Sequence, residues 1–206
     1  TGFMRGKKQD GSWVEPFIPT DSNHNDGEYV EGNAWQWTWF VPHDPMGLID
    51  LMGGREKFIM KLDSLFTVDS TIEGENASAD ISGLIGQYAH GNEPSHHIVY
   101  FYNYAGQPWK TQKLVDQILN TLYHNNPDGL SGNEDCGQMS AWYVLSAMGF
   151  YSVAPGDPTY SIGRPLFSRV VIKQENGNEF VIEAKNNSPE NIYIQEVTLN
   201  GNPLET

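Results

Sequence analysis

The sequence predicts a mainly α-helical chain that ends in antiparallel β-structure, and three observations carry this. Apolar residues recur at helical spacing between Gly32 and Phe150, and the period falls to two beyond Phe150. The third observation is the Asn176-Gly177 pair between two β-rich runs, a strong hairpin signal. The expected organisation is therefore a helical part over residues 1–150 and a β-segment over residues 151–206. Residues 1–30, dense in Gly, Pro, Asn and Asp, form a loop-rich lead-in to the helices.

Each element follows from local chemistry. Ala34–Val41 reads as a short aromatic helix ended by Pro42, which cannot continue the backbone ladder. Gly54–Phe66 sets Phe58, Ile59, Leu62, Leu65 and Phe66 on one stripe. Pro94 suits a first helical turn, and Ser95–Tyr104 follows as an apolar segment. Trp109–Tyr123 carries Leu114, Val115, Ile118, Leu119 and Leu122 on a face built for burial, and Cys136–Met148 is a further helix stopped by Gly149. That makes about five helices. Ser168–Lys173 and Glu179–Ala184 then form a hairpin, and Asn191–Leu199, followed by a turn at Asn200-Gly201, adds a third strand. The acidic, polar stretch Asp69–Asp80 reads as a solvated loop.

Composition narrows the function. A chain of 206 residues buries one sizeable core. Twelve basic against 26 acidic residues give a net charge of −14, which repels nucleic acid and anionic lipid. No apolar run reaches the length of a membrane span. A single cysteine, Cys136, excludes an internal disulfide framework and a thiolate zinc cluster. Six Trp and ten Tyr beside an 18% charged share suit a neutral, polyhydroxylated ligand such as a sugar. The opening Thr1-Gly2-Phe3 has no leader character, so the expectation is an interior piece of a longer protein.

Three polar clusters crowd the starts of helices. In Glu28–Trp37, Glu31 precedes Trp35, Trp37 and Trp39; Trp35 is the candidate sugar-facing ring, against ordinary packing. Partial desolvation of Glu31 beside such rings would keep it protonated, as a general acid requires. In His90–His97, Asn92 and Glu93 offer hard oxygens of the kind calcium takes, against a solvated turn and cap. His96 and His97 are neighbours on a helix and face different ways, which argues against zinc. In Gly132–Trp142, Asp135 is placed as an N-cap with Gln138 completing a capping-box spacing. Asn133, Glu134 and Asp135 supply more acceptors than a cap needs, and an ionised Asp135 at a helix start suits a general base. Nucleophile motifs and phosphate-binding glycine loops are absent.

The strings Glu31-Gly32-Asn33-Ala34-Trp35-Gln36-Trp37, Gly91-Asn92-Glu93-Pro94-Ser95-His96-His97 and Gly132-Asn133-Glu134-Asp135-Cys136-Gly137-Gln138-Met139-Ser140-Ala141-Trp142-Tyr143 resemble glycoside hydrolase family 92, in that order. These are calcium-dependent, exo-acting α-mannosidases, and the likeness leans to the bacterial, Bacteroides-like branch that trims N-glycans. The resemblance runs from about Asp21 to Leu204. It implies the last part of an (α/α)6 toroid followed by antiparallel strands, with an N-terminal β-sandwich and the remaining toroid helices outside this sequence. It implies inversion, with Glu31 as general acid and Asp135 as general base. Relatives often have Asp where Asn133 stands, and an amide there supports rather than abstracts protons. The resemblance also implies Ca2+ near Asn92 and Glu93, with Trp35, Asn133, Glu134, His97 and Gln138 around the substrate. Its implied substrates are mannose-containing glycans and its implied compartment is the periplasm, the cell surface or the outside of the cell. An isolated segment of a toroid is expected to be inactive. A non-catalytic carbohydrate-binding or structural domain, or a related glycosidase for another sugar, are the competing readings.

Overall fold

The computed structural model describes residues 2–25 and 27–204. Among these are six α-helices, with one short antiparallel strand pair between the third and the fourth and three more after the sixth. Helix α1, Ala34–Trp37, begins on a reciprocal cap: Asn33 Oδ1 accepts from Trp35 N at 2.9 Å, and Gln36 Oε1 accepts from Asn33 N at 2.7 Å. It ends after one turn, shorter than Ala34–Val41, because Trp39, Phe40 and Val41 bond back over two or three residues ahead of Pro42. Helix α2, Pro45–Leu51, lies outside the expected elements, although Asp44 caps it at Gly47 N (2.8 Å) and Pro45 sits at its first position. Helix α3, Arg55–Thr67, buries Phe58, Leu62 and Leu65 of the expected stripe and leaves its Ile59 and Phe66 half-buried.

A hairpin of β1, Leu84–Ile85, and β2, Tyr88–Ala89, turns at Gly86. A Cβ at Gly86 would stand 2.3 Å from the Leu65 carbonyl oxygen, so the turn presses directly onto α3. The continuous helical segment expected at Ser95–Tyr104 is instead two 3₁₀ turns, Glu93–Ser95 and Ile98–Tyr100, leading into α4, Phe101–Tyr104. Tertiary partners explain the break: the His96 carbonyl accepts from Trp142 Nε1 (3.0 Å), and the Val99 carbonyl accepts from Thr111 Oγ1 (2.8 Å). Those carbonyls face other elements rather than a regular helical ladder.

Helix α5, Pro108–Thr121, and α6, Gln138–Met148, complete the helical part, and Gly149 at φ 103° closes α6. Strand β3, Phe150–Tyr151, pairs with β4, Ser161–Ile162; Tyr151 stacks on Tyr100 at 5.2 Å, so packing continues through residue 150. Strands β5, Arg169–Lys173, and β6, Glu179–Glu183, form the hairpin expected around Asn176-Gly177. The third strand expected over Asn191–Leu199 is overturned. Only Thr198–Leu199 (β7) is extended and paired there, and its partner is Asn202–Pro203 (β8), not the β5–β6 sheet. The Asn200-Gly201 turn closes this small local ladder.

The core lies between α1 and β3, with Trp39, Phe58, Leu62, Tyr100, Phe101, Val115, Ile118 and Trp142 fully buried. Among the described residues no helix is long and apolar enough to cross a membrane.

Candidate active site

The three strings singled out in the sequence come together around Gly91. On one side, Trp37 Nε1 donates to the Val30 carbonyl at 2.7 Å and pins the Val30–Gly32 turn onto α1. Glu31 in this turn is half-buried and has φ 52°, a left-handed conformation uncommon outside glycine. Asn92 spans 61 residues to reach it: its Nδ2 donates to the Glu31 carbonyl at 3.0 Å and lies 3.5 Å from Oε2. On the other side, a Cβ at Gly91 would fall 2.0 Å from Ser82 Oγ and 2.7 Å from the Ser131 carbonyl oxygen. Only glycine permits that approach, which brings the Ser131–Asp135 loop onto the same segment. Asn133 continues the contact, donating from Nδ2 to Asp80 Oδ1 at 3.3 Å.

Asp135, Cys136 and Gly137 all have positive φ, at 50°, 56° and 92°. The capping box expected of Asp135 and Gln138 is therefore corrected. Helix α6 begins at Gln138 after Gly137, without a side-chain bond from the residue at the cap position. Glu134 does the capping instead: Ser140 N and Ser140 Oγ both donate to its carboxylate at 2.8 Å. The left-handed run turns the chain before the helix starts, and the longer Glu side chain, anchored one residue earlier, spans the gap. Asp135 is half-buried, and among the described residues no hydrogen bond or ion pair engages its carboxylate. Its carbonyl accepts from Gln138 N at 3.1 Å.

Gln138 turns inward. Its Nε2 donates to His96 Nδ1 at 3.1 Å and to Tyr151 Oη at 3.3 Å. His96 Nε2 donates to the His90 carbonyl at 2.9 Å, which makes Nδ1 the acceptor and fixes the neutral tautomer. His90 lies between Tyr88 Oη (2.8 Å) and Tyr123 Oη (2.7 Å), and Tyr123 Oη donates onward to the Met139 carbonyl. Burial pushes His96 down to about 4 and His90 well below its ordinary value. His97 belongs to the core as well: its Nε2 donates to the Trp39 carbonyl at 2.8 Å, Phe101 packs edge-on, and burial lowers it to about 4. Two of these ring nitrogens, His96 Nε2 and His97 Nε2, are thus held by backbone carbonyls.

Trp35 packs edge-on against Phe3 at 4.9 Å, with the Lys61 ammonium 4.3 Å from its ring centroid. Burial among these rings lowers Lys61 to about 8. Among the described residues, no hydrogen bond ends on Asn92 Oδ1 or on the carboxylate of half-buried Glu93. These two hard oxygen donors fit calcium in type; no cluster of three His, Cys, Asp or Glu residues able to hold a metal occurs among the described residues. Two surface hollows lie elsewhere, one beside Trp109 and Tyr193 and the other around Arg164 and Asn187, and neither is lined by Glu31 or Asp135.

The sequence reading missed the amide network behind Glu31. Asn33 Nδ2 donates to Gln87 Oε1 (3.0 Å), Gln36 Nε2 to the Gln87 carbonyl (2.6 Å), and Gln87 Nε2 to the carbonyls of Asp69 and Thr71. The Asn-x-x-Gln spacing of the cap was a local signal; Gln87 offered none.

Glu31 and Asp135 are thus half-buried carboxylates on left-handed turns, beside amide and carboxylate oxygens of Asn92 and Glu93 that have no partner among the described residues. Comparison with known proteins places the class. The model of the glycosyl hydrolase family 92 catalytic domain matches residues 1–206, and the chain belongs to that family. A family 92 α-mannosidase from Bacteroides thetaiotaomicron, solved with mannoimidazole, superposes with a TM-score of 0.89 at 43% identity, covering 98% of this chain and 27% of that one. A family 92 inverting mannosidase from Bacteroides thetaiotaomicron VPI-5482 gives 0.81 at 42% identity, covering 98% and 28%. A protein of Arthroderma benhamiae, named as an uncharacterized secreted glycosidase, is 33% identical over 213 residues, 97% of this chain and 25% of its own length. The chain thus spans about a quarter of the length of these relatives.

Proposed function

We propose that this chain forms part of an inverting exo-α-mannosidase that releases terminal α-linked mannose from N-glycan-type oligosaccharides. Glu31 is the general acid that protonates the leaving oxygen, and Asp135 is the base that takes a proton from the attacking water on the opposite face of the ring. The observation that carries the assignment is conformational. Both residues hold left-handed backbone, at φ 52° and 50°, in turns that lean on the Gly91-Asn92 segment. Among the described residues, the other positive-φ residues that are not glycine are Cys136 beside Asp135 and two asparagines, Asn186 and Asn200, a residue type that tolerates this region. Such strain persists where surrounding contacts over-determine it, and it clusters at functional sites. The likeness to an α-mannosidase solved with mannoimidazole supports mannose as the sugar.

Asn92 orients Glu31 through its amide nitrogen, and its Oδ1 has no partner among the described residues. With Glu93 it would hold Ca2+, which when bound supplies a positive charge that grips neighbouring sugar hydroxyls. The other ligands of such an ion, usually six to eight in all, would come from water, substrate and the remainder of the polypeptide. Asn133 and Trp35 border the sugar, whereas Glu134, His97 and Gln138 act by holding turns, through the Glu134 carboxylate, His97 Nε2 and the Gln138 amide nitrogen, each bonded within the chain. The walls that complete the pocket are the other helices of an (α/α)6 toroid and an N-terminal β-sandwich, so the isolated chain is expected to be inactive. The likeness to a glycosidase named as secreted supports a place outside the cytoplasm, in the periplasm or at the cell surface.

The test is hydrolysis of linkage-defined mannobioses by the full-length protein, with and without a calcium chelator, following the anomer first released by NMR. The expected result is β-mannose as initial product and loss of turnover with chelator. Release of α-mannose, indifference to chelator or preference for another sugar contradicts the reading.

A further inference from the structure

We infer that Gln138 is a positioning residue that registers the Asp135 turn against the Asn92 turn through His96; this rests on the role proposed for Asp135. Asp135 stands on three consecutive left-handed residues, and its own carboxylate has no partner among the described residues to hold it. Glu134 ties the turn to the start of α6 through Ser140, and something else must register both against the Asn92 turn. Gln138 is the first residue of α6: its backbone N–H grips the Asp135 carbonyl at 3.1 Å, while its side-chain amide is tied to His96 Nδ1 and Tyr151 Oη. His96 in turn follows the Asn92-Glu93-Pro94-Ser95 turn, bonded by its backbone N–H to the Glu93 carbonyl at 3.0 Å and by Nε2 to the His90 carbonyl. One side chain therefore joins the segment that carries the base to the segment that grips Glu31.

The donor and acceptor order leaves no freedom. His96 Nε2–H faces a carbonyl, so Nδ1 accepts only, and the partner at 3.1 Å must be a donor. Tyr151 Oη, 3.3 Å away, accepts from the same amide nitrogen. Glutamine supplies that N–H, and the ionised glutamate of the same shape does not. A second clamp runs in parallel, from His90 through Tyr123 Oη to the Met139 carbonyl, so losing Gln138 releases the turn without removing the helix.

The experiment compares Gln138→Glu with wild type in the full-length protein, using an aryl α-mannoside and hydrogen exchange of the 134–140 segment. The expected result is a fall in kcat of at least about tenfold with KM within about threefold, together with faster exchange of that segment, as loss of alignment of a general base would give. An unchanged kcat, an effect confined to KM, or slower turnover without faster exchange overturns it. If Gln138→Glu does not accumulate folded, Tyr151→Phe removes only the second oxygen; about a threefold fall in kcat with faster exchange is expected, and wild-type behaviour in both overturns the inference. Should the wild-type protein not hydrolyse mannosides, the mannosidase reading fails while the exchange comparison still decides whether Gln138 holds the turn.

Discussion

The stretch from Glu31 to Val153 and the hairpin region from Phe167 onward are built on opposite terms. The first contains the buried apolar side chains and ties together residues as far apart as Glu31 and Asn92, or His96 and Gln138. The second consists of two-stranded ladders with Phe167, Phe180, Val181, Tyr193 and Leu199 exposed. In β5–β6 the register sets Val170 opposite Ile182 and Ile172 opposite Phe180, so one face of that hairpin is wholly apolar. The contrast teaches that alternation and a turn suffice to form a local ladder, whereas a site needs contacts between distant segments.

That difference can be broken deliberately. The largest effects belong to the candidate acid and base. In the full-length protein, Asp135→Asn should lower kcat on a mannobiose by about 10²- to 10⁴-fold while leaving the urea midpoint near wild type. Next comes the core: Trp142→Ala removes a fully buried ring and the donor to the His96 carbonyl, and should cost about 3–5 kcal/mol in urea unfolding. Phe180→Ala, on a ring 42% exposed, should cost about 0.5 kcal/mol or less by the same measurement. A loss at Phe180 as large as that at Trp142 would erase the distinction between the two regions.

Acid sharpens it further. His97 is neutral and buried in the folded protein, lowered to about 4, against an ordinary value of 6.5 when unfolded. The unfolded chain therefore binds the proton first. The stability this burial gives is complete above pH 6.5 and is lost as pH falls toward 4. Unfolding midpoints measured across that window should decline, and His97→Gln should flatten the decline while lowering the starting stability. A variant that keeps the full wild-type slope would show that other groups control acid unfolding.

Much of this was legible in the sequence where chemistry is local. Asn176-Gly177 marked the β5–β6 hairpin, and the stripe of Phe58, Leu62 and Leu65 marked α3. Local rules failed where distant partners decide. The helix expected through Ser95–Tyr104 breaks because Trp142 and Thr111 claim its carbonyls. Asp135 satisfied the spacing of a cap, yet the left-handed backbone at 135–137 hands capping to Glu134, and spacing alone does not reveal φ. The strings flagged Glu31, Asn92 and Asp135 separately. The bond from Asn92 to Glu31, across 61 residues, became visible only in the fold.

The most direct test of the proposed chemistry is the leaving-group dependence of Glu31→Gln in the full-length protein. If Glu31 protonates the departing oxygen, the variant should lose about 10²- to 10⁴-fold on a mannobiose yet keep much of its turnover on a dinitrophenyl α-mannoside, whose leaving group needs no proton. Equal losses on both substrates, or near-wild-type turnover of the disaccharide, would contradict it.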